Sequence, residues 1–200
     1  MTAGEGVTLI RVRSFLILHG WDNFRPPGHW QHELAVALVA SGERVVYPQL
    51  PDAAAPAVEA WRDAAAGALA EAAEGDARVT VLCHSLACLL WLGSRPAEAG
   101  DVVERALLVA PPSLQFVGSV PEIAAFAALP LSRPESETRI VSSDSDPYCH
   151  GGAQAAFGTP LGIPVTTIPG GGHLERSAGY GRWPSVFEWC LHPTVEVVGR

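Results

Sequence analysis

With 200 residues, 48% of them hydrophobic, the chain is long enough to bury one ordinary core without disulfide or metal staples, and it reads as one domain over 1–200. A formal charge of −8, with basic residues few and scattered, argues against the phosphate backbone of nucleic acid as a partner, because no basic stripe forms. Four cysteines at 83, 88, 149 and 190 have no C-x-x-C spacing, and Cys83 and Cys88 fall on a strand-to-helix turn and its helix where small apolar residues are wanted, which predicts reduced, buried thiols.

The first 13 residues show little pattern beyond Val7-Thr8-Leu9-Ile10. Their polar start is unlike a signal sequence, and Pro111-Pro112 break the uncharged stretch after Arg105, so no membrane span and a cytoplasmic location are expected. Phe15-Leu16-Ile17-Leu18 reads as a strand covered on both faces, ending at the polar turn His19-Gly20-Trp21-Asp22-Asn23. A helix follows over about 30–40, with Leu34, Ala37, Leu38 and Ser41 at helical spacing, then a strand at 45–47 closed by Pro48 and Pro51. Pro56 opens an alanine-rich helix to about 74, stopped by Gly75.

Strand three covers 79–82 with its helix at 86–94, and strand four covers 106–109. The stretch 113–134 is less regular, with a short helix expected near 122–128; it is either a small lid over a site or a plain crossover with long loops. Strand five at 139–142 runs into Asp144-Ser145-Asp146-Pro147-Tyr148-Cys149, followed by a helix near 152–157 and strand six at 165–168. Gly170-Gly171-Gly172 and His173 precede a last helix near 183–191, and the tail 192–200 is expected to be peripheral.

Six β runs alternating with helices predict a three-layer α/β fold: a mainly parallel six-stranded sheet with helices on both faces. In the order 2-1-3-4-5-6 the sheet reverses between strands one and three, where the loops after those strands open a ligand crevice. Those loops are His19-Gly20-Trp21 and Cys83-His84-Ser85.

The second of them has the layout of a nucleophile elbow, a β-branched run entering and a helix-forming run leaving a single serine. The usual flanking glycines are Cys83 and Ala87 here; both are still small, as close strand-to-helix packing requires. A serine hydroxyl needs a base, and the base needs an acid to fix its tautomer. Ser85, Asp146 and His173 supply these in the chain order of the α/β-hydrolase fold, each after a strand and therefore at the carboxyl edge of the sheet. Asp144 competes with Asp146 for the acid, and Glu175 is a more distant third; Pro147 favours Asp146 by locking the backbone after it. Either aspartate also suits an ordinary turn at a strand end.

The N–H groups of Trp21 and Leu86 are the candidate oxyanion donors. Trp21, Phe116, Phe126 and Tyr148 are candidates to line an apolar pocket, although aromatics near a core more often belong to it. His84 is expected to point away from Ser85 and His19 to brace the first turn, while His29, His32, His150 and His192 read as loop or helix-face residues. No histidine pair has helix-face spacing with a nearby acidic ligand, so no metal is implied, and no cofactor either.

His19-Gly20-Trp21 with His29-Trp30-Gln31, His84-Ser85-Leu86, Ser143 through Cys149, Gly171-Gly172-His173-Leu174 and Gly179-x-Gly181-x-Trp183-Pro184 together resemble one family. It is the family of small single-domain serine hydrolases that includes retinoblastoma-binding protein nine. The resemblance runs from Phe15 to about Leu191 and places the family's triad on Ser85, Asp146 and His173, its aspartate being the one before proline. It implies hydrolysis of a small carboxylic ester or amide. Cys83 and Ala87 depart from its elbow glycines. Retinoblastoma binding is not expected, because the nearest approach to Leu-x-Cys-x-Glu is Leu86-Ala87-Cys88-Leu89-Leu90, which ends in leucine and reads as buried. Two rival readings are a binding module on a hydrolase scaffold, which the intact Ser-Asp-His set weighs against, and a redox protein centred on Cys83, whose side chain would face the packed strand.

Overall fold

The computed structural model describes residues 13–200, so the pattern at 7–10 lies outside the described residues. Six strands form one sheet: β1 (Arg13–Leu18), β2 (Arg44–Val46), β3 (Arg78–His84), β4 (Val103–Val109), β5 (Glu137–Ser143) and β6 (Val165–Ile168). Their order is β2-β1-β3-β4-β5-β6 and every pairing is parallel, as the strand–helix alternation predicts.

Side-chain alternation along the strands builds two cores, one on each face. Leu16, Leu18, Val81, Cys83, Ala106, Leu108 and Ile140 pack under α2 (Val58–Ala72) and α3 (Leu86–Ser94). Phe15, Ile17, Leu82, Leu107, Val109 and Val141 pack under α1 (Trp30–Ala40) and a last helix, Pro184–Leu191, whose Val186 and Trp189 are buried. Because both faces are covered there, residues 15–18 of β1 and 106–109 of β4 read in sequence as unbroken apolar runs.

The chain on either side of β4 contains more helix than the sequence suggests. The four-residue α4 (Ala99–Val102) precedes β4, and α5 (Leu114–Ser119), capped by the Ser113 hydroxyl accepting from the Phe116 N–H at 3.2 Å, precedes a 3-10 turn at Ala124–Ala128. Val117, Ile123 and Phe126 anchor this segment, Phe126 meeting Trp61 edge-on with ring centroids 5.4 Å apart. The helix expected near 152–157 is a π-helical turn, Gln154–Gly158, running into α6 (Thr159–Leu161).

The tail is docked rather than peripheral: Val197 is buried, and the Trp183 indole and Ser185 hydroxyl both donate to the Val198 carbonyl, at 2.7 and 2.8 Å.

Arginines scattered along the chain gather at the amino edge of the sheet, where they cap the ends of helices and turns. Arg13 donates to the Leu191 carbonyl, Arg44 to Glu74, Arg78 to Asp101 and Arg105 to Cys190. These carbonyls have no partner further along their own helices, and a guanidinium satisfies both their lone pairs and the negative end of the helix dipole. Structural roles thus occupy these four arginines at the edge opposite the site.

Candidate active site

Register decides which loops meet. Leu18 pairs with Cys83, so His19 and Gly20 leave β1 level with the His84–Ser85 turn; Ser143 pairs with Ile168, so the turns carrying Asp146 and His173 also leave together. Ser85 stands at φ 55°, ψ −124°, between the last residue of β3 and the first of α3. A non-glycine residue there is strained by about 1–3 kcal/mol. The turn is held by the Ser85 N–H donating to the Val109 carbonyl and by the Ser85 carbonyl accepting from the Cys88 N–H, both at 2.9 Å. Cys83 and Ala87, in the places of the usual glycines, are fully buried, and burial pushes the Cys83 thiol well up, so it stays protonated and faces the α2–α3 core. Leu86 through Leu90 are likewise buried inside α3.

The β1 turn presses on the elbow from the other side. A Cβ built at Gly20 would lie 2.7 Å from the Ser85 Cβ and 3.3 Å from its hydroxyl oxygen. We predict that Gly20→Ala displaces the serine and lowers turnover by roughly 10²-fold, with KM less affected; ester hydrolysis by the purified variant at the unsubstituted rate would contradict this.

Above the elbow, the His173 Nε2 lies 2.9 Å from the Ser85 hydroxyl oxygen. Its Nδ1 lies 2.9 and 3.0 Å from the two carboxylate oxygens of Asp146. Both Asp146 and His173 are buried, and Asp146 also accepts from the Tyr148 N–H at 2.9 Å. Asp144 is exposed and accepts instead from the Gly170 N–H at 2.7 Å, while Glu175 is bonded to the Ser177 hydroxyl. Of the three candidate acids, only Asp146 meets the histidine.

The other histidines form a buried support. His84 packs against His173 with ring centroids 4.9 Å apart, and its Nε2 donates to the His173 carbonyl at 3.1 Å. His29 lies in the turn before α1, as its N-cap, but it is buried; its Nδ1 accepts from the Gln31 N–H at 3.2 Å, and its ring meets His84 edge-on. Only the motif His29-Trp30-Gln31 marked it in the sequence. His19 braces the first turn as expected, Nδ1 donating to the Gly20 carbonyl and Nε2 accepting from the Leu50 N–H, both at 2.8 Å.

Burial lowers His19 and His29 to about 4 and holds His84 well below its ordinary value, so all three are neutral at physiological pH. In the unfolded chain each would bind a proton near pH 6.5. Protons therefore favour the unfolded chain between about pH 6.5 and 4, and stability present above that window is lost as pH falls through it. We predict a decline of up to about 1.4 kcal/mol per pH unit for each histidine, read as a falling denaturant midpoint between pH 7 and 5; a flat midpoint over that range would refute the assignment.

A cleft of about 560 Å³ opens over Ser85 and His173. Trp21, Leu86, Pro112, Phe116, Ile123 and Tyr148 give it apolar walls, and Asp22, Asn23, Glu175, Arg176 and Ser177 a polar side. Tyr148 meets His173 edge-on at 4.5 Å and packs on Phe116 at 4.7 Å. Phe126, a candidate for this lining, is instead wholly buried in the core. Leu86 is the first residue of α3, so its N–H has no intrahelical acceptor, and the Trp21 N–H meets no acceptor among the described residues. Among the described residues, no group of three or more His, Cys, Asp or Glu is arranged to hold a metal, and no helix is long and apolar enough to cross a membrane.

A parallel sheet in this order, with a strained serine at the turn after its third strand and a cleft at the strand reversal, defines an α/β hydrolase. The profile of the serine hydrolase family matches residues 15–191, and the chain belongs to that family, as its motifs suggest; it is a serine hydrolase enzyme. No curated protein matches it.

Among solved structures it is similar to the ydeN gene product of B. subtilis, at 17% identity and TM-score 0.70, over 88% of this chain and 96% of that one. A putative YdeN-like hydrolase from Pectobacterium atrosepticum aligns at 16% identity and TM-score 0.68, over 90% of each chain. Est1E from Butyrivibrio proteoclasticus aligns at 15% identity and TM-score 0.60, over 82% and 80%. At these identities the likeness is one of fold.

Proposed function

We propose that the protein cleaves a small carboxylic ester, or an amide, through an acyl-serine intermediate. The observation that carries this reading is the unbroken relay from the Ser85 hydroxyl through His173 to Asp146 at the floor of the cleft. His173 accepts the serine proton at Nε2 as Ser85 Oγ attacks the acyl carbon. Asp146 keeps the other ring proton on Nδ1 and steadies the imidazolium that forms. The carbonyl oxygen gathers negative charge, which the N–H groups of Trp21 and Leu86 receive, the latter at the positive end of α3.

The imidazolium then protonates the leaving group as its bond to the acyl carbon breaks. Water, deprotonated by the same histidine, hydrolyses the acyl-serine. The apolar walls suit a small-molecule substrate, and the segment 113–134, which contributes Phe116 and Ile123, acts as one wall of the site. The four buried thiols suit a reducing compartment such as the cytoplasm. Covalent labelling by a fluorophosphonate probe tests the reading: stoichiometric modification at Ser85 is expected, and a folded protein that resists the probe and hydrolyses no activated ester would overturn it.

A further inference from the structure

The loop that presents His173 is tied down by side chains the reaction itself does not use. Three successive backbone N–H groups, of Gly170, Gly171 and Gly172, donate to Asp144 Oδ1, Ser143 Oγ and Ser145 Oγ at 2.7, 2.8 and 3.0 Å. The backbone pairing of β5 with β6 ends at Ser143 and Ile168, with one further bond from the Asp144 N–H to the Ile168 carbonyl. From there the side chains of 143–145 continue the contact that the strands have given up.

Counting lone pairs fixes the direction of this network. A hydroxyl offers one proton and two acceptor sites. Ser143 Oγ accepts from the N–H of Gly171 and, at 3.2 Å, of Ser145, which fills both sites; its own proton must therefore go to Ser145 Oγ, 3.1 Å away. Ser145 Oγ is then filled by that proton and by the Gly172 N–H, and its proton faces solvent, where Ser145 is exposed. Ser143, itself buried, is the hub.

The loop needs such a hub because Gly170 and Gly172 stand at φ 66° and 56°, and three glycines in a row are the least constrained backbone the chain offers. His173 is thus pinned from two directions, through its own carbonyl by His84 and through the three preceding amides by 143–145.

We propose that Ser143, aided by Ser145, is a positioning residue that sets His173 Nε2 against the Ser85 hydroxyl. The proposal rests on the hydrolase reading above. Misplacing a reacting group by about 1 Å costs on the order of 10² in rate. The test measures fluorophosphonate labelling of the full chain over time, unsubstituted and as Ser85→Ala, Ser143→Ala, Ser143→Thr and Ser145→Ala, separating rate constant from final amplitude. A merely structural role would lower the amplitude, by leaving fewer folded sites, and leave the rate constant of the remainder unchanged.

Ser143→Ala is expected to reach full amplitude with a rate constant roughly 10- to 100-fold lower, and ester kcat should fall in parallel with KM nearly constant. Ser143→Thr, which keeps the hydroxyl, should restore most of the rate. Ser145→Ala, which removes the acceptor for both the Gly172 N–H and the Ser143 hydroxyl but leaves Ser143 holding Gly171, should slow labelling several-fold and serves alone if Ser143→Ala does not fold. Unchanged rate constants in these alanine variants overturn the proposal, whereas labelling that persists in Ser85→Ala overturns the hydrolase reading beneath it.

Discussion

Ser85→Ala is expected to abolish ester hydrolysis and probe labelling while leaving the fold intact. The loss should be on the order of 10⁶ in turnover, because in the proposed mechanism Ser85 is the group that His173 and Asp146 activate. The fold should survive because, among the described residues, the Ser85 hydroxyl bonds only His173, while the elbow is held by backbone bonds to Val109 and Cys88 that alanine keeps. Alanine also keeps the Cβ that fits against Gly20, so neither the close approach nor the strain at positive φ changes. The melting temperature should therefore stay near that of the unsubstituted protein, which separates loss of chemistry from loss of structure. Full turnover in purified, folded Ser85→Ala would place the chemistry elsewhere.

Much of this arrangement is legible from the residues because the sheet is buried on both faces. Phe15 through Leu18 and Val79 through Leu82 read as strands since each side chain has a core to enter. The elbow is visible because it needs a strand, one serine and a helix in immediate succession. What the sequence conceals depends on register and on long-range packing. Arg13, Arg44, Arg78 and Arg105 look unrelated until the strand starts are aligned, when they meet the ends of helices and turns. His29 reads as an ordinary loop or helix-face residue because its burial depends on His84 arriving from β3. Phe126 misleads in the opposite sense: an aromatic offered for the apolar pocket, it packs its ring on Trp61 in the core. The tail reads as peripheral because its contacts, from Trp183 and Ser185 to Val198, carry no local pattern.

The two aspartates after β5 offer the sharpest discrimination. Asp146→Asn is expected to lower turnover by roughly 10⁴, with little change in stability. An amide in place of the carboxylate can donate to His173 Nδ1, which favours the tautomer carrying its proton on Nε2; that nitrogen, 2.9 Å from the serine oxygen, could then no longer accept the hydroxyl proton. The amide would also fail to stabilise the imidazolium. Asp144 is placed differently: exposed, and bonded through one oxygen to the Gly170 N–H at 2.7 Å. Asparagine retains an oxygen that accepts the same bond, so Asp144→Asn should cost at most about 1 kcal/mol of stability and only a small part of the activity. Turnover and thermal melting of the two variants, measured side by side, decide the matter. If Asp144→Asn lost turnover while Asp146→Asn kept it, the acid of the relay would be misassigned, and the 2.9 Å approach of Asp146 to His173 would be a contact of structure alone.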